Sequence, residues 1–174
     1  MRRTLMWSLV FALMLAPVML AVKADSGASL APDTQAAWDN LKKLDGEWEG
    51  TGNGSPAKVI YRLVSNGNTV METLFPGTPH EMITMYHLDG PQLVLTHYCA
   101  AGNQPRMTLD KSGSKPGYLV FAFSGGSNMD PKKDGHIHSG RIKVLDLDHI
   151  ESEWDYFEND KLGHSMKFVL ARKR

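Results

Sequence analysis

A single cysteine, Cys99, is the only thiol in this chain of 174 residues. No internal disulfide can form, so stability has to come from packing and from sheet closure. An excess of charge of either sign is also missing, since 19 Lys and Arg balance 19 Asp and Glu. Apart from the terminal Arg172-Lys173-Arg174 the basic residues form no patch, which excludes an obvious nucleic-acid surface. The chain has no phosphate-cradling glycine loop, no nucleophile elbow and no paired-cysteine zinc pattern. Asn53-Gly54-Ser55 and Gly125-Gly126-Ser127 are turn composition. Helical periodicity is lacking after Gly46, and long apolar runs are lacking after the first two dozen residues.

What is present begins with a leader. Arg2 and Arg3 precede an apolar run over residues 5–22, and Val22-Lys23-Ala24 has the small-residue ending that a signal peptidase prefers. Residues 1–24 therefore read as a signal peptide cleaved after Ala24, the alternative being an uncleaved anchor. No cysteine stands at the cleavage site to carry a lipid. The expected destination is periplasmic or extracellular, with no membrane span left after cleavage. Removing Arg2, Arg3 and Lys23 leaves 16 basic against 19 acidic residues, a net charge of −3. About 150 residues remain, enough for one domain with a real core.

Residues 25–40 read as a flexible polar lead followed by the start of a short helix, and 41–174 as a β domain. Over 33–44, Ala37, Trp38, Leu41 and Leu44 recur at helical steps, with Asp33 or Thr34 as cap and Asp45-Gly46 as stop. Beyond Gly46 the pattern is strand, turn, strand. Strands are expected at 47–52, 58–65, 69–75, 81–87, 92–99, 106–111, 118–123, 136–145, 149–157 and 165–172. The fold class predicted is all-β: an antiparallel up-and-down barrel of about ten strands, one end closed by the short helix. A barrel of that girth leaves an interior wider than side chains readily fill.

Alternation assigns Val59, Tyr61 and Leu63 inward on one strand, and Ile150, Ser152, Trp154 and Tyr156 on another. His164, Met166, Phe168 and Leu170 share a face of the last strand. For the hairpin at Leu88-Asp89-Gly90-Pro91, a loop of even length pairs Tyr86 with Leu93, Thr84 with Leu95 and Met82 with His97. Glu72 lies between Val70 and Leu74 and is expected outside, with Met71, Thr73 and Phe75 as core; were it buried, it would need a partner such as Arg62.

Candidate chemistry follows from these faces. Tyr61, Tyr86, His97, Trp154, Met166 and Phe168 are predicted to wall an interior binding site for a small apolar or amphipathic molecule. The run from Thr96 to Arg106 is rich in directional donors, and Asn103, Gln104 and Arg106 are expected to meet the polar end, a carboxylate or another polar head group, with Arg106 as the charge partner. His164 is the candidate metal ligand if haem is bound. His136-x-His138 sets two imidazoles on one strand face as the start of a metal site, and His80 with His97 is a candidate acid–base pair. Trp48 is read as structural, with Arg172 stacked on its ring. No catalytic residue is assigned. The expected partner is a small-molecule ligand, with the protein a monomer or homodimer.

Gly46-x-Trp48, preceded by a short helix, resembles the start motif of the lipocalins within the calycin superfamily. The fuller Gly46-x-Trp48-x-Gly50-x-Gly52-x-Gly54 is similar to the nitrobindin-like branch, ten-stranded barrels that bind haem. Tyr86-His87-Leu88-Asp89-Gly90 and Leu95-Thr96-His97-Tyr98-Cys99 resemble runs in bacterial secreted lipocalin-like proteins of unassigned function. The likeness covers roughly residues 41–173. It implies a haem cofactor with an iron ligand near the final strand, where His164 stands. Two features depart from that pattern: Pro56-Ala57-Lys58 replaces the Tyr-Pro-Thr that follows the nitrobindin glycines, and nitrobindins are mostly cytosolic.

Overall fold

A computed structural model describes residues 30–174. The leader predicted for 1–24 and the lead as far as residue 29 lie outside the described residues. The chain forms one helix, α1 (Pro32–Lys42), and ten strands: β1 (Gly46–Gly52), β2 (Ser55–Val64), β3 (Thr69–Leu74), β4 (Met82–Asp89), β5 (Gln92–Tyr98), β6 (Gln104–Leu109), β7 (Tyr118–Ser127), β8 (His136–Val144), β9 (His149–Glu158) and β10 (Lys161–Arg172). Each strand pairs antiparallel with its sequence neighbours, and β10 returns to pair with β1, closing a barrel.

Closure depends on two small residues of β1. Gly50 lies opposite Leu170, and a Cβ there would fall 2.0 Å from the Val169 carbonyl oxygen. At Gly52 a Cβ would sit 2.9 Å from the Phe168 ring. The alternating glycines of the start motif thus let two strand backbones approach and one aromatic ring lie across them.

The helix is not capped by a side chain, as Asp33 or Thr34 was expected to do. Ala31 is the N-cap, with no side-chain hydrogen bond. Pro32 opens the helix instead, its fixed φ suited to the first turn. Ala37, Trp38, Leu41 and Leu44 are buried in one core with strand residues. Trp48 Nε1 donates to the Leu44 carbonyl at 2.8 Å, and the Arg172 guanidinium lies 4.3 Å from the Trp48 ring centroid. Arg172 also donates to the carbonyls of Asp45, Lys43 and Leu147 at 2.7, 2.8 and 3.0 Å. One side chain therefore ties the helix exit, β10 and the β8–β9 turn together.

The β4–β5 hairpin keeps the expected faces but not the expected partners. Asp89 pairs with Gln92, so the loop is Gly90-Pro91, and Tyr86 meets Leu95 while Thr84 meets His97. The two-residue loop slides the pairing by two positions, which leaves every side chain on its predicted face. The larger correction is Glu72, which is fully buried between Val70 and Leu74, both also buried. Its partners are Tyr61 and Tyr86, while Arg62 lies outside against Glu47.

Candidate functional site

The buried core is mainly apolar but includes a set of polar side chains, among them Glu72, Thr84, His97 and Ser152. Tyr61 on β2 and Tyr86 on β4 flank β3, and their hydroxyls donate to the two Glu72 carboxylate oxygens at 2.8 and 2.7 Å. Thr84, directly across from Glu72 on β4, is a third and weaker donor. Burial pushes the Glu72 pKa up, while the Tyr86, Tyr61 and Thr84 hydroxyls pull against it. Burial and the adjacent carboxylate push both phenols well above their ordinary range, so they remain donors.

Thr84 connects this group to the next strand. Its Oγ1 lies 2.9 Å from His97 Nδ1. With the Thr84 proton turned toward Glu72, His97 donates from Nδ1–H to Thr84 and keeps Nε2 as a bare acceptor. Burial holds the His97 pKa down at about 4, so the ring is neutral. His97 is stacked on Trp154 from β9, with ring centroids 5.8 Å apart. Trp154 in turn packs on Gly140 of β8, where a Cβ would fall 2.6 Å from the indole.

Three polar atoms here have no protein partner: His97 Nε2, Trp154 Nε1 and Ser152 Oγ. Their residues are only 2%, 3% and 2% exposed. Ser152 precedes Trp154 by two residues on the same inward face of β9, about 6–7 Å along the strand. Buried polar groups are normally hydrogen-bonded, so a polar set of this kind marks a place for water or for a ligand's polar end.

The remaining predicted site residues distribute as follows. Phe168 is buried and Met166 half-buried, both against the core. Asn103 is buried, donates from Nδ2 to the Gly135 carbonyl at 2.7 Å, and leaves Oδ1 open. Gln104 is committed to the loop, accepting from Ser127 and Asn128 and donating to the Gly102 carbonyl. Arg106, expected at a ligand's polar end, lies elsewhere. It is exposed on the outer face, because its neighbours Pro105 and Met107 are the buried ones. There it lines an outer cleft with His87, Asp89 and Gln92.

The histidines do not converge as expected. His80 is exposed in the β3–β4 loop, whereas His97 is buried, so they form no acid–base pair. His136 and His138 hydrogen-bond each other. His136 Nδ1 lies 2.8 Å from the Asp134 carbonyl, and its Nε2 lies 3.0 Å from His138 Nδ1. A bulge between Ile137 and Ser139 allows this, and the His138 ring is held between Phe123 and Phe157 at 4.7 and 4.2 Å. Among the described residues no group of three or more His, Cys, Asp or Glu forms a metal site.

His164 is exposed at the start of β10, its ring stacked on Tyr156 at 4.8 Å. A porphyrin held by His164 would need a deep slot at that imidazole, and His164 is exposed and lines none of the described clefts. These residues as arranged do not fit the haem implied by the resemblance. The signal that sequence reasoning missed was the acid itself: Glu72 interrupts an apolar face that tyrosines border on both neighbouring strands.

The described clefts are on the outside of the barrel. One of about 220 Å³ separates α1 from residues around β6 and β7, including Leu109, Lys115 and Leu119. Glu72, His97 and Trp154 line none of these clefts, and Ser152 borders one on the outer face beside Arg141 and Lys167. No family model matches the chain, and no curated protein matches it. The class that the fold defines is a closed, ten-stranded, all-antiparallel barrel with a buried polar centre.

Proposed function

We propose that this is an exported, lipocalin-like binding protein that takes a small, partly apolar molecule into the barrel. The leader over residues 1–24 would direct export. Helix α1 is the cover of one end, and entry is from the other, past Phe75, Met166 and Phe168. One observation carries the reading: three side chains, all more than nine-tenths buried, leave His97 Nε2, Trp154 Nε1 and Ser152 Oγ without partners. The ligand is small, because Trp48, Tyr61, Tyr86, Phe121 and Phe168 already occupy the interior as fully buried side chains. Affinity comes chiefly from apolar burial, at roughly 25 cal/mol per Å² before ordering costs.

A second reading is favoured by that same crowding: a non-catalytic envelope interaction module with a filled core, its polar centre bonded to internal water. The discriminating experiment purifies the protein from its own cell envelope, extracts it with organic solvent and analyses the extract by mass spectrometry. A stoichiometric small molecule that is lost in Trp154→Ala supports the binding protein. An empty extract, together with no ligand-induced change in tryptophan fluorescence across a lipophile library, refutes it in favour of the filled module.

A further inference from the structure

The sequence left the ligand's polar end as a carboxylate or another polar head group, met by Arg106. The arrangement of charge inside the barrel argues for a different class of molecule. We propose that His97, Trp154 and Ser152 select uncharged ligands whose polar end both donates and accepts hydrogen bonds, such as primary amides and alcohols, and reject carboxylates of the same shape. The inference rests on the reading of the interior as a ligand site and specifies its chemistry.

The open atoms set the pattern. Trp154 Nε1–H can only donate, His97 Nε2 can only accept in the tautomer whose Nδ1–H donates to Thr84, and the Ser152 hydroxyl can turn to do either. A primary amide carries the complement of both, a carbonyl that can accept from an indole N–H and an NH₂ that can donate to an imidazole nitrogen. An alcohol does the same with one oxygen. A carboxylate offers only acceptors, so it leaves His97 Nε2 facing a lone pair and unsatisfied.

Charge points the same way. Among the described residues no Lys or Arg is buried. Arg141 lies on the outer face, bound to Asp155 and Glu153 at 2.8 and 3.2 Å, and Arg172 is committed to Trp48 and three backbone carbonyls. Of the two buried acids, Asp155 is paired with Arg141, and Glu72 lies two hydrogen bonds away from His97 through Thr84. An anionic ligand would bring a second acid into the same low-dielectric space with no cation to offset either. A neutral ligand meets no such opposition.

The experiment compares isosteres on the purified full chain at pH 7.5: octanamide and 1-octanol against octanoate, and 4-methylbenzamide against 4-methylbenzoate. Binding is read by calorimetry and by tryptophan fluorescence. The expected result is that the amide and alcohol bind and each carboxylate binds at least about 30-fold more weakly. Trp154→Phe keeps the ring and removes only the N–H, and is expected to weaken the amide about tenfold. Ser152→Ala reads the same site if Trp154→Phe does not fold. Carboxylates binding as tightly as their amides would overturn the inference while leaving an interior ligand site standing. Failure of every probe, with an empty extract from the native envelope, would overturn both.

Discussion

Acidification should cost the wild-type protein stability that a His97→Gln variant keeps. His97 is 2% exposed, and burial holds its folded-state pKa at about 4 against an ordinary 6.5. Because the folded pKa is the lower one, the unfolded chain takes up the proton first. Stability attributable to the neutral ring is therefore complete above pH 6.5 and falls as the pH is lowered toward 4. Each unit of difference is worth about 1.36 kcal/mol, so the loss reaches about 2.5 kcal/mol at pH 4.5. Gln has no titration in this window and still offers Thr84 a hydrogen bond. The assay is urea unfolding of both proteins from pH 7.5 to 4.5. His138, whose pKa burial and His136 also lower, contributes in the same direction but equally to both proteins, as do the carboxylates, so the difference between the curves isolates His97. Curves that stay parallel within about 0.5 kcal/mol would refute the burial of a neutral His97, and with it the bare Nε2 acceptor on which the ligand chemistry depends.

Two further predictions concern the frame that holds this centre. Gly50→Ala places a Cβ 2.0 Å from the Val169 carbonyl oxygen at the closing seam, so it should cost about 3 kcal/mol in thermal unfolding. Gly54→Ala, at φ +83° in open space, should cost only about 1 kcal/mol, and an equal cost at both sites would contradict the close approach of β1 and β10. Arg172→Ala should lose about 2 kcal/mol in denaturant unfolding through the Trp48 stack and three carbonyl bonds, and Arg172→Lys should restore less than half. An Ala variant within about 0.5 kcal/mol of wild type would show that the tie contributes nothing.

Much of the architecture was legible because its signals are local. Gly, Asn, Asp and Pro break the chain where turns fall, and the ten expected strands overlap the ten observed, differing mainly at their ends. The stack of Arg172 on Trp48 was readable from a tryptophan at the start of the first strand and a base at the end of the last. Arg106 was misplaced because a dense polar run was read by composition, although the alternation of Pro105, Arg106 and Met107 turns it outward. The helix cap was misjudged for a related reason: Asp33 and Thr34 are good capping residues, but Pro32 ahead of them opens the helix and moves the cap to Ala31, two positions before Asp33.

By itself the sequence determined the strand count, the turns and the rule that neighbours along a strand face opposite ways, since each follows from a few adjacent residues. It did not determine which face of β3 is inside. Glu72 is tolerable there only because two phenols arrive from the strands on either side, and Tyr86 is 14 positions away in the chain. Nor did it determine that His97 would lie against Trp154, 57 positions on, because that contact exists only once β10 has come back to β1. Side-chain direction is a property of a strand, whereas the partner a buried polar atom finds, or fails to find, is a property of the closed barrel.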